Sequence, residues 1–392
     1  MGVIFVNVSV FFRSQPARWA VAALFFLNGA VLGSWASQIP VMVRQLQITE
    51  FTLGMLLVAF GVGALIFMPL SGWLMARYGS RNVTLAFTVA FVFALPCVSL
   101  ITSLWPAYIL LFLFGGVSGG MDVSMNANAA VVEQSYARPI MSSSHGFWSL
   151  GGFVGGAAGG TAIETLGFVG HAFAVGVISA ALLMVTWRHV IKDPAADFSS
   201  KLRFSFPKSP TIYLIGLIAL LGMIPEGAIR SWSALYLTDE LGADLAFSGW
   251  AFAALSATMA IVRFSGDSVR AHFGAVRTLQ WSSLTAAVGL LVAGLSGSYW
   301  VVMLAFAFVG LGIANIVPIA FSAAGNQAGV PTGVGMSVSA TMGYAGTLAA
   351  PSLIGLVAER TGFSMIFVAF SLFMMLIFFM ANLVRTADFT KS

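Results

Sequence analysis

Residues 151–168 read GGFVGGAAGGTAIETLGF, an apolar stretch in which Glu164 is the only charged side chain. Its glycines form two ladders at four-residue spacing, one at 151, 155 and 159 and the other at 152, 156 and 160. Positions four apart lie on the same side of an α-helix, so each ladder is a face of small residues that permits close helix contact. Such faces in an apolar segment are typical of a helix packed against others in a lipid bilayer.

The end of this stretch recurs at an offset of 195 residues, where Glu164, Gly167 and Phe168 become Glu359, Gly362 and Phe363. The same offset, without gaps, matches further residues along both halves: Gly54 with Gly249, Gly79 with Gly274, Ser103 and Trp105 with Ser298 and Trp300, Gly115 with Gly310, Met141, Ser142 and Ser144 with Met336, Ser337 and Ser339, and Gly151 with Gly346. One constant offset predicts two structural repeats.

The whole chain has the composition of an integral membrane protein. Of its 392 residues, 59% are hydrophobic and 8% are charged, and the mean hydropathy is +0.96, which is far from the composition of a soluble domain. Apolar runs long enough to cross a hydrocarbon core of about 30 Å as a helix recur along it. We predict an all-α membrane protein with twelve transmembrane helices, at 17–38, 50–77, 82–103, 106–132, 142–164, 167–188, 211–237, 246–270, 275–296, 299–325, 333–358 and 362–384.

Six predicted spans lie on each side of a short polar stretch. We therefore predict an N-terminal six-helix bundle at 1–190, a cytoplasmic linker at 191–210 and a C-terminal six-helix bundle at 211–392. Because six is even, both halves enter the membrane from the same side, and the repeat is parallel about a pseudo-twofold axis along the membrane normal. A short linker lets the two bundles rock against each other, as alternating access requires.

The basic residues set the predicted orientation. With both termini in the cytoplasm, fourteen of the eighteen Lys and Arg residues fall on the cytoplasmic side, in agreement with the positive-inside rule. The net charge of +5 is then explained by topology and not by a nucleic-acid partner. We expect a multi-pass protein of the cell inner membrane that works as a monomer among membrane lipids.

The segment GWLMARYGSR, residues 72–81, lies between the second and third predicted spans. Together with the arrangement of six plus six spans, it resembles the major facilitator superfamily, whose loop signature is Gly-x-x-x-Asp-Arg/Lys-x-Gly-x-Arg/Lys. Gly72, Arg77, Gly79 and Arg81 match this signature, whereas Ala76 stands in place of the aspartate. The resemblance implies a secondary transporter whose first, fourth, seventh and tenth helices line a central cavity.

Five further segments resemble the MosC/YbjJ-like branch of this superfamily, which is associated with rhizopine, an inositol-derived amine. They read DVSMNANAAVVE, SSSHGFWSLGG, PEGAIRSWSALYL, GIANIVPIAFSAAG and GYAGTLAAPSLIG. Drug antiporters of the superfamily carry a Gly-Pro signature in the fifth helix, where this chain has Gly160 at the proline position. That difference counts against the antiporter subclass.

A polar side chain lies near the centre of each of the four helices expected to line the cavity: Asn28, Asp122, Glu226 and Asn315. A charge at the bilayer centre costs roughly 2.5–3.5 kcal/mol on insertion scales, so the two carboxylates are expected to face a wet cavity. We predict that Asp122 and Glu226 bind substrate and exchange protons. For each, the alternative is a structural carboxylate satisfied by its neighbours. Pro225 precedes Glu226 and is expected to open the helix there.

Five other residues complete the predicted substrate site. Asn126 shares a helical stripe with Asp122, Trp35 and Gln38 lie near the outer end of the first span, and Arg230 and Trp232 follow Glu226. Arg230 lies four residues after Glu226, so the two could also neutralise each other as a local ion pair.

The gating residues are predicted at the cytoplasmic end. Arg77 and Arg81 belong to the loop signature. His145, which follows three serines at the start of the fifth span, is expected to bond Glu133 across the loop between the fourth and fifth spans, although it is equally compatible with an interface role. Arg263 and Asp267, four residues apart in the eighth span, could form a latch or a structural pair.

We predict a proton-coupled transporter for a small polar organic solute that is sugar-like or cyclitol-like. The alternative is efflux of hydrophobic drugs or toxins by the same fold. The sequence shows no His-Glu-x-x-His motif, cysteine cluster or phosphate-binding loop, so we expect neither an enzyme nor a bound metal or cofactor.

Overall fold

A computed structural model describes residues 15–136, 140–192, 209–330 and 332–388, without the side chains of residues 266–271, 332 and 333. Within these ranges the chain is helical. The α-helices are α1 (Pro16–Leu46), α2 (Glu50–Ser99), α3 (Leu104–Tyr136), α4 (Met141–Thr186), α5 (Pro210–Leu235), α6 (Trp250–Phe273), α7 (Ala275–Leu295), α8 (Tyr299–Ile313), α9 (Ile316–Gly325) and α10 (Thr332–Met380). Short 3₁₀ turns lie at Trp187–His189, Leu245–Phe247 and Ala381–Ala387, and a π turn lies at Tyr236–Glu240.

Glycines with positive φ divide the chain at four repeat-related points. Gly79 in α2, Gly167 in α4 and Gly362 in α10 break their helices at φ 77°, 75° and 76°, and Gly274 separates α6 from α7 at φ 78°. Their ψ values lie between 159° and 172°, a region that is essentially restricted to glycine. Gly79 pairs with Gly274, and Gly167 with Gly362, at the predicted offset. The repeat seen in the sequence is therefore present in the backbone.

The helices run back and forth between two ends of the molecule. At one end, Arg81 Nε donates to Val190 O at 2.9 Å and Asn128 Nδ2 donates to Ile191 O at 3.0 Å, just before the predicted linker. We call this the linker end; it also holds the start of α1, the end of α3, the start of α4, Gly274 and residues 325–330. The other end is the distal end, which holds residues 46–50, 99–104, 235–250 and 295–299 together with Gly167 and Gly362.

The two glycine ladders of α4 contact different helices. A Cβ at Gly151 or Gly155 would overlap backbone atoms of α1, and one at Gly159 would overlap Ser37 of the same helix. The ladder at 152, 156 and 160 instead faces α6 and the residues just before it. The predicted role of the ladders in close packing is confirmed, and α4 is the element that joins α1 to α6.

The outside of the helical assembly is apolar. Large side chains such as Trp105, Met184 and Leu295 are between 71% and 80% exposed, an apolar surface far larger than a soluble monomer shows. Within the described residues, nine stretches are long and apolar enough to cross a membrane, and the α2, α4 and α10 stretches each contain one of the glycine breaks. The prediction of an all-α membrane protein is confirmed at this level.

Two predicted spans differ from the helices observed. The first was predicted to end at residue 38, whereas α1 continues through Pro40 to Leu46. The tenth was predicted as one helix over 299–325, whereas a turn at residues 314 and 315 separates α8 from α9. Of the predicted linker at 191–210, residues 193–208 lie outside the described residues.

Candidate functional site

A cavity of about 590 Å³ lies between helices from both sides of the predicted linker. α1, α2, α3 and α4 contribute to its wall before the linker, and α5, α6, α9 and α10 contribute after it. The cavity reaches Met141 and Ser142 in the first turn of α4, so it approaches the linker end. Seven of the nine predicted substrate residues line it: Asn28, Trp35, Asp122, Glu226, Arg230, Trp232 and Asn315.

Asp122 and Arg230 bring opposite charges together from the two sides of the cavity. Asp122 lies on α3 and interacts electrostatically with Arg230 on α5. Asn126 Nδ2 donates to the Asp122 carboxylate at 3.3 Å and to the Asp122 backbone oxygen at 2.8 Å. Tyr344 on α10 also lies within electrostatic range of Asp122, Glu226 and Arg230. One aromatic hydroxyl and three charged groups therefore converge on the same space.

Glu226 and Arg263 form a second pair of opposite charges. Arg263 Nη2 lies 3.9 Å from Glu226 Oε1, and both side chains are largely buried. Arg263 Nη1 donates to Ser149 Oγ at 2.6 Å, and its guanidinium group lies 5.9 Å from the ring centroid of Trp148. Arg263 lies on α6, Glu226 on α5, and Ser149 and Trp148 on α4. The Arg263 side chain therefore connects three helices.

Asn28 is held in a fixed orientation in the cavity wall. Trp148 Nε1 donates to Asn28 Oδ1 at 2.8 Å, and Asn28 Nδ2 lies 3.6 Å from Met121 Sδ. Asn28 is buried, so its amide relies on these partners in place of water. The Trp148 side chain contacts both Arg263 on α6 and Asn28 on α1. It therefore connects the two halves of the site.

The helix interruption near the site is at Asn315 and not at Pro225. α5 runs without a break through Pro225 from Pro210 to Leu235, so the predicted opening beside Glu226 is wrong. Asn315 is the N-cap residue of α9, directly after the turn that ends α8, and it lines the cavity. Backbone groups at such an interruption can serve a cavity, as happens in the discontinuous helices of transporters.

Three predicted substrate residues have other roles. Gln38 Nε2 donates to Phe168 O at 3.2 Å and lies 3.0 Å from His171 Nδ1, so Gln38 joins α1 to α4 near the distal end, away from the cavity wall. Asn126 supports Asp122 and does not line the cavity. Trp232 lines the cavity but is 1% exposed, and its ring packs at 5.6 Å against Phe363.

The predicted gating residues fall into three groups. Arg77 lies over the Tyr78 ring, and Arg81 bonds backbone oxygens of Val190 and Trp187, so both stay at the linker end. Arg263 faces the cavity and Glu226, and the side chain of its proposed partner Asp267 lies outside the described residues. The proposed bond between Glu133 and His145 is wrong.

Each member of that last pair has other contacts. Glu133 Oε2 accepts from the backbone amides of Ile140 and Met141, at 2.7 and 3.1 Å. His145 lines the cavity and packs edge-on against Phe25, with 5.2 Å between ring centroids.

Three residues of the site were not predicted: Trp148, Ser149 and Tyr344. Trp148 lies within the quoted segment SSSHGFWSLGG, but a tryptophan in a membrane helix is more often a packing or interface residue. Ser149 and Tyr344 are equivalent positions of the two repeats. Both lie on helices that are not the first of a triplet, which is why a search limited to the first helices missed them.

Comparison of this sequence with family models and with curated proteins identifies its family. The sequence model of the Major Facilitator Superfamily matches residues 18–225. The membrane protein MosC of Rhizobium meliloti is 32% identical over 355 residues, which cover 88% of this chain and 84% of that protein.

Solved structures show the same fold. A crystal structure of the nucleoside transporter NupG, a D323A mutant, superposes with a TM-score of 0.75 over 94% of this chain and 99% of its own, at 12% identity. The E. coli fucose:proton symporter FucP, an N162A variant, superposes with a TM-score of 0.63 over 94% of this chain and 98% of its own, at 18% identity.

Proposed function

Because the chain belongs to the major facilitator superfamily, we propose that it is a secondary transporter that moves a small polar organic solute by alternating access. In this proposal the chain crosses the membrane twelve times, as two six-helix bundles related by the 195-residue repeat. The glycine breaks support this count, since dividing the nine apolar stretches at Gly79, Gly167 and Gly362 adds three spans.

The balance of charges in the cavity is the observation that carries the proposal. Two carboxylates and two guanidinium groups line one space, as the pairs Asp122 with Arg230 and Glu226 with Arg263. A solute with hydroxyl groups, or one that carries both signs of charge, can satisfy such groups by hydrogen bonds. A purely apolar solute would remove water from them without replacement, which is costly. The volume suits a small molecule.

The aromatic residues around these charges favour a ring-shaped solute. Trp35, Phe60, Trp148 and Tyr344 line the cavity beside the charged groups. Apolar walls with a few convergent polar groups are typical of small-molecule sites. We propose a sugar-like or cyclitol-like solute, including rhizopine-type inositol derivatives.

Asp122 and Glu226 are the proposed proton-exchanging groups. Asp122 interacts with Arg230 of the other half, so a relative movement of the halves would change its electrostatic environment directly. Glu226 and its partner Arg263 lie in the same half, but Arg263 also bonds Ser149 of the other half, so the same movement would change the surroundings of this pair. FucP, which shares the fold, is a fucose:proton symporter. We also propose that both termini face the cytoplasm of the inner membrane, as the distribution of basic residues supports. The cavity would then approach the cytoplasm.

Ligand-induced stabilisation of the purified protein tests the substrate class, because a ligand of the folded state raises its melting temperature. The panel consists of hexoses, cyclitols, amino sugars, nucleosides and hydrophobic cations. Stabilisation by polyhydroxylated compounds, lost in Asp122→Asn and kept in Asp244→Asn, supports the proposal. Asp244 is exposed at the distal end and is absent from the cavity wall. Stabilisation by hydrophobic cations alone would favour drug efflux, the second candidate.

Counterflow in proteoliposomes tests proton coupling, with a labelled solute from that screen. We expect the wild-type rate to depend on pH and on an imposed proton gradient, and the dependence to be weaker in Asp122→Asn or Glu226→Gln. Coupling through these carboxyl groups is wrong if both variants keep the wild-type proton dependence.

A further inference from the structure

Contacts at the distal end join the two halves of the chain in matched pairs. Glu164 Oε1, near the end of the first segment of α4, accepts from Ala246 N at 2.9 Å. Glu359 Oε1, in α10, accepts from Phe51 N at 2.9 Å. Glu164 and Glu359 are equivalent under the 195-residue repeat, and so are Phe51 and Ala246. The two bonds are therefore copies of one contact, made once in each direction between the halves.

The backbone around these bonds follows the same symmetry. A Cβ on Gly54 would lie 2.6 Å from Pro351 O, and a Cβ on the equivalent Gly249 would overlap the backbone of Gly156, the equivalent of Pro351. Likewise, Gly355 is in close contact with Glu50 and Phe51, and its equivalent Gly160 with Leu245 and Ala246. In both crossings backbone atoms of the two halves are in close contact, and at Gly249 the Ser37 side chain is equally close.

An ion pair lies on the pseudo-twofold axis itself. Arg44 Nη2 and Asp239 Oδ1 are 2.9 Å apart, and the two positions are separated by 195 residues. A residue that contacts its own repeat equivalent must lie beside the axis that relates the repeats. The repeats differ here in charge, so two copies of one position attract each other. The distal closure thus has the reciprocal form of a twofold-symmetric interface, built within one chain.

From this arrangement we propose that Glu164 and Glu359 are a pair of latches that hold the cavity closed at the distal end. Each carboxylate accepts from a backbone amide at the start of a helix or turn in the other half, where such donors have no partner within the helix. Both bonds are charge-assisted, and at Phe51 the partial positive charge of the first turn of α2 adds to the bond. Opening this end separates α4 from the start of α6 and α10 from the start of α2, so it breaks both latches together.

The gating residues predicted from the sequence lie at the linker end or in the cavity wall, whereas the latches lie at the distal end. The latch proposal rests on the proposed alternating access. It concerns the stability of the state in which the distal end is closed, and it can be tested without knowing the solute. Both carboxylates are exposed and both amides lie at the surface of the crossing. Water can therefore replace each bond when the end opens, which suits a contact that must form and break in every cycle.

Distances between paired spin labels test the latches directly. In a Cys97→Ala background, one label pair replaces Ser103 and Ser298 at the distal end, and a second pair replaces Ser135 and Ala328 at the linker end. All four positions are exposed. In Glu164→Ala/Glu359→Ala, we expect the closed-to-open ratio of the distal pair to fall by about tenfold or more, since each lost capping bond contributes a factor of roughly three to ten. The linker-end distance should shorten in parallel.

Two variants separate a latch from general instability. Glu164→Gln/Glu359→Gln keeps a neutral acceptor at each position, so the ratio should fall by a smaller factor in the same direction. Asp244→Asn changes an exposed distal carboxylate that makes neither bond and should leave both distributions unchanged. Unchanged distributions in the alanine variant overturn the proposal. If that variant does not fold, unchanged distributions in the glutamine variant overturn it.

The labels report independently of transport. A chain that transports none of the tested solutes would contradict the proposed function, yet its distal distance would still respond to the latch variants. Conversely, a working transporter with unresponsive distal labels would keep its proposed function and lose the latches.

Discussion

The distal end and the cavity use the same repeat in opposite ways. At the distal end, equivalent residues make equivalent contacts, as Glu164 and Glu359 do. In the cavity, the equivalent of a charged residue is apolar: Val317 for Asp122, Val31 for Glu226, Trp35 for Arg230 and Met68 for Arg263. Closure thus depends on what the halves share, and the chemistry of the site depends on where they diverged. A solute without twofold symmetry needs an asymmetric binding site. The contact that closes the distal end joins two similar bundles, so it can remain symmetric.

The largest predicted effect on closure of the distal end comes from the two backbone crossings at Gly54 and Gly249. Gly249→Ala and Gly54→Ala each place a methyl group where the opposite backbone leaves no room. Overpacking of this kind costs about 1–3 kcal/mol, so either variant should lower the closed-to-open ratio of the distal end by roughly 5- to 150-fold. The same spin-label pairs measure it. Equal effects of the two variants would confirm that the crossings are equivalent.

The matched control is Gly72→Ala, where an added Cβ meets no atom within 4 Å. Gly54 lies inside α2, where alanine has the higher helix propensity, so a loss in Gly54→Ala cannot come from a weaker helix. If Gly54→Ala and Gly249→Ala behave like Gly72→Ala, close backbone contact is not what closes this end.

The asymmetric pair in the cavity should show the next largest effect. Removing one member of Glu226 and Arg263 leaves the other largely buried without its partner, so Glu226→Gln or Arg263→Met should each lower the free energy of unfolding by about 2 kcal/mol. The double variant should lose less than the sum, with a coupling of about 1 kcal/mol. Urea or thermal unfolding in detergent measures all four proteins. Strict additivity would mean that the two charges do not interact.

The repeat and the helix breaks could be predicted from the sequence because they depend on local pattern. Gly79 could be paired with Gly274, and Gly167 with Gly362, by offset alone, and the structure gives all four the same backbone conformation. The polar groups of α3 and α5 were also found, because a charge in an apolar run is visible without coordinates. Searching the first helix of each triplet identified Asp122 and Glu226, but it did not identify the residues that surround them on other helices.

The partners of these groups could not be predicted, because they depend on rotation about the helix axis and on contacts between distant segments. Gln38 was placed in the cavity by its position along α1, yet its amide bonds α4. Arg263 was paired with a neighbour four residues away, yet its contacts are Ser149 and Glu226. Sequence spacing identifies neighbours within one helix, whereas this site is built between helices.

Trp148 gives a smaller predicted effect that is confined to the cavity. In Trp148→Phe the ring is kept but the donor to Asn28 Oδ1 is lost, which leaves a buried acceptor without that bond. The expected loss is about 1 kcal/mol in the free energy of unfolding, or about fivefold in solute affinity if Asn28 contacts the solute. Thermal unfolding with and without solute separates the two. The distal label distance should stay at its wild-type value, and a change there would mean that the site and the closure are coupled through α4.

Substitutions in the ion pair on the pseudo-twofold axis should have the smallest effect on closure of the distal end. They also test the symmetry most directly, because the two residues are repeat equivalents of each other. Arg44 and Asp239 are 54% and 39% exposed, and exposed pairs contribute about 0–1 kcal/mol. Arg44→Asp places two like charges beside the axis, so the closed-to-open ratio of the distal end should fall by a few-fold at low salt, and less at high salt because of screening. The exchanged variant Arg44→Asp/Asp239→Arg should restore the ratio, since the axis makes the two positions equivalent. If the exchange fails to restore it while the single variant lowers it, the surroundings of Arg44 and Asp239 differ, and the symmetry of the distal end is confined to its backbone crossings and carboxylate bonds.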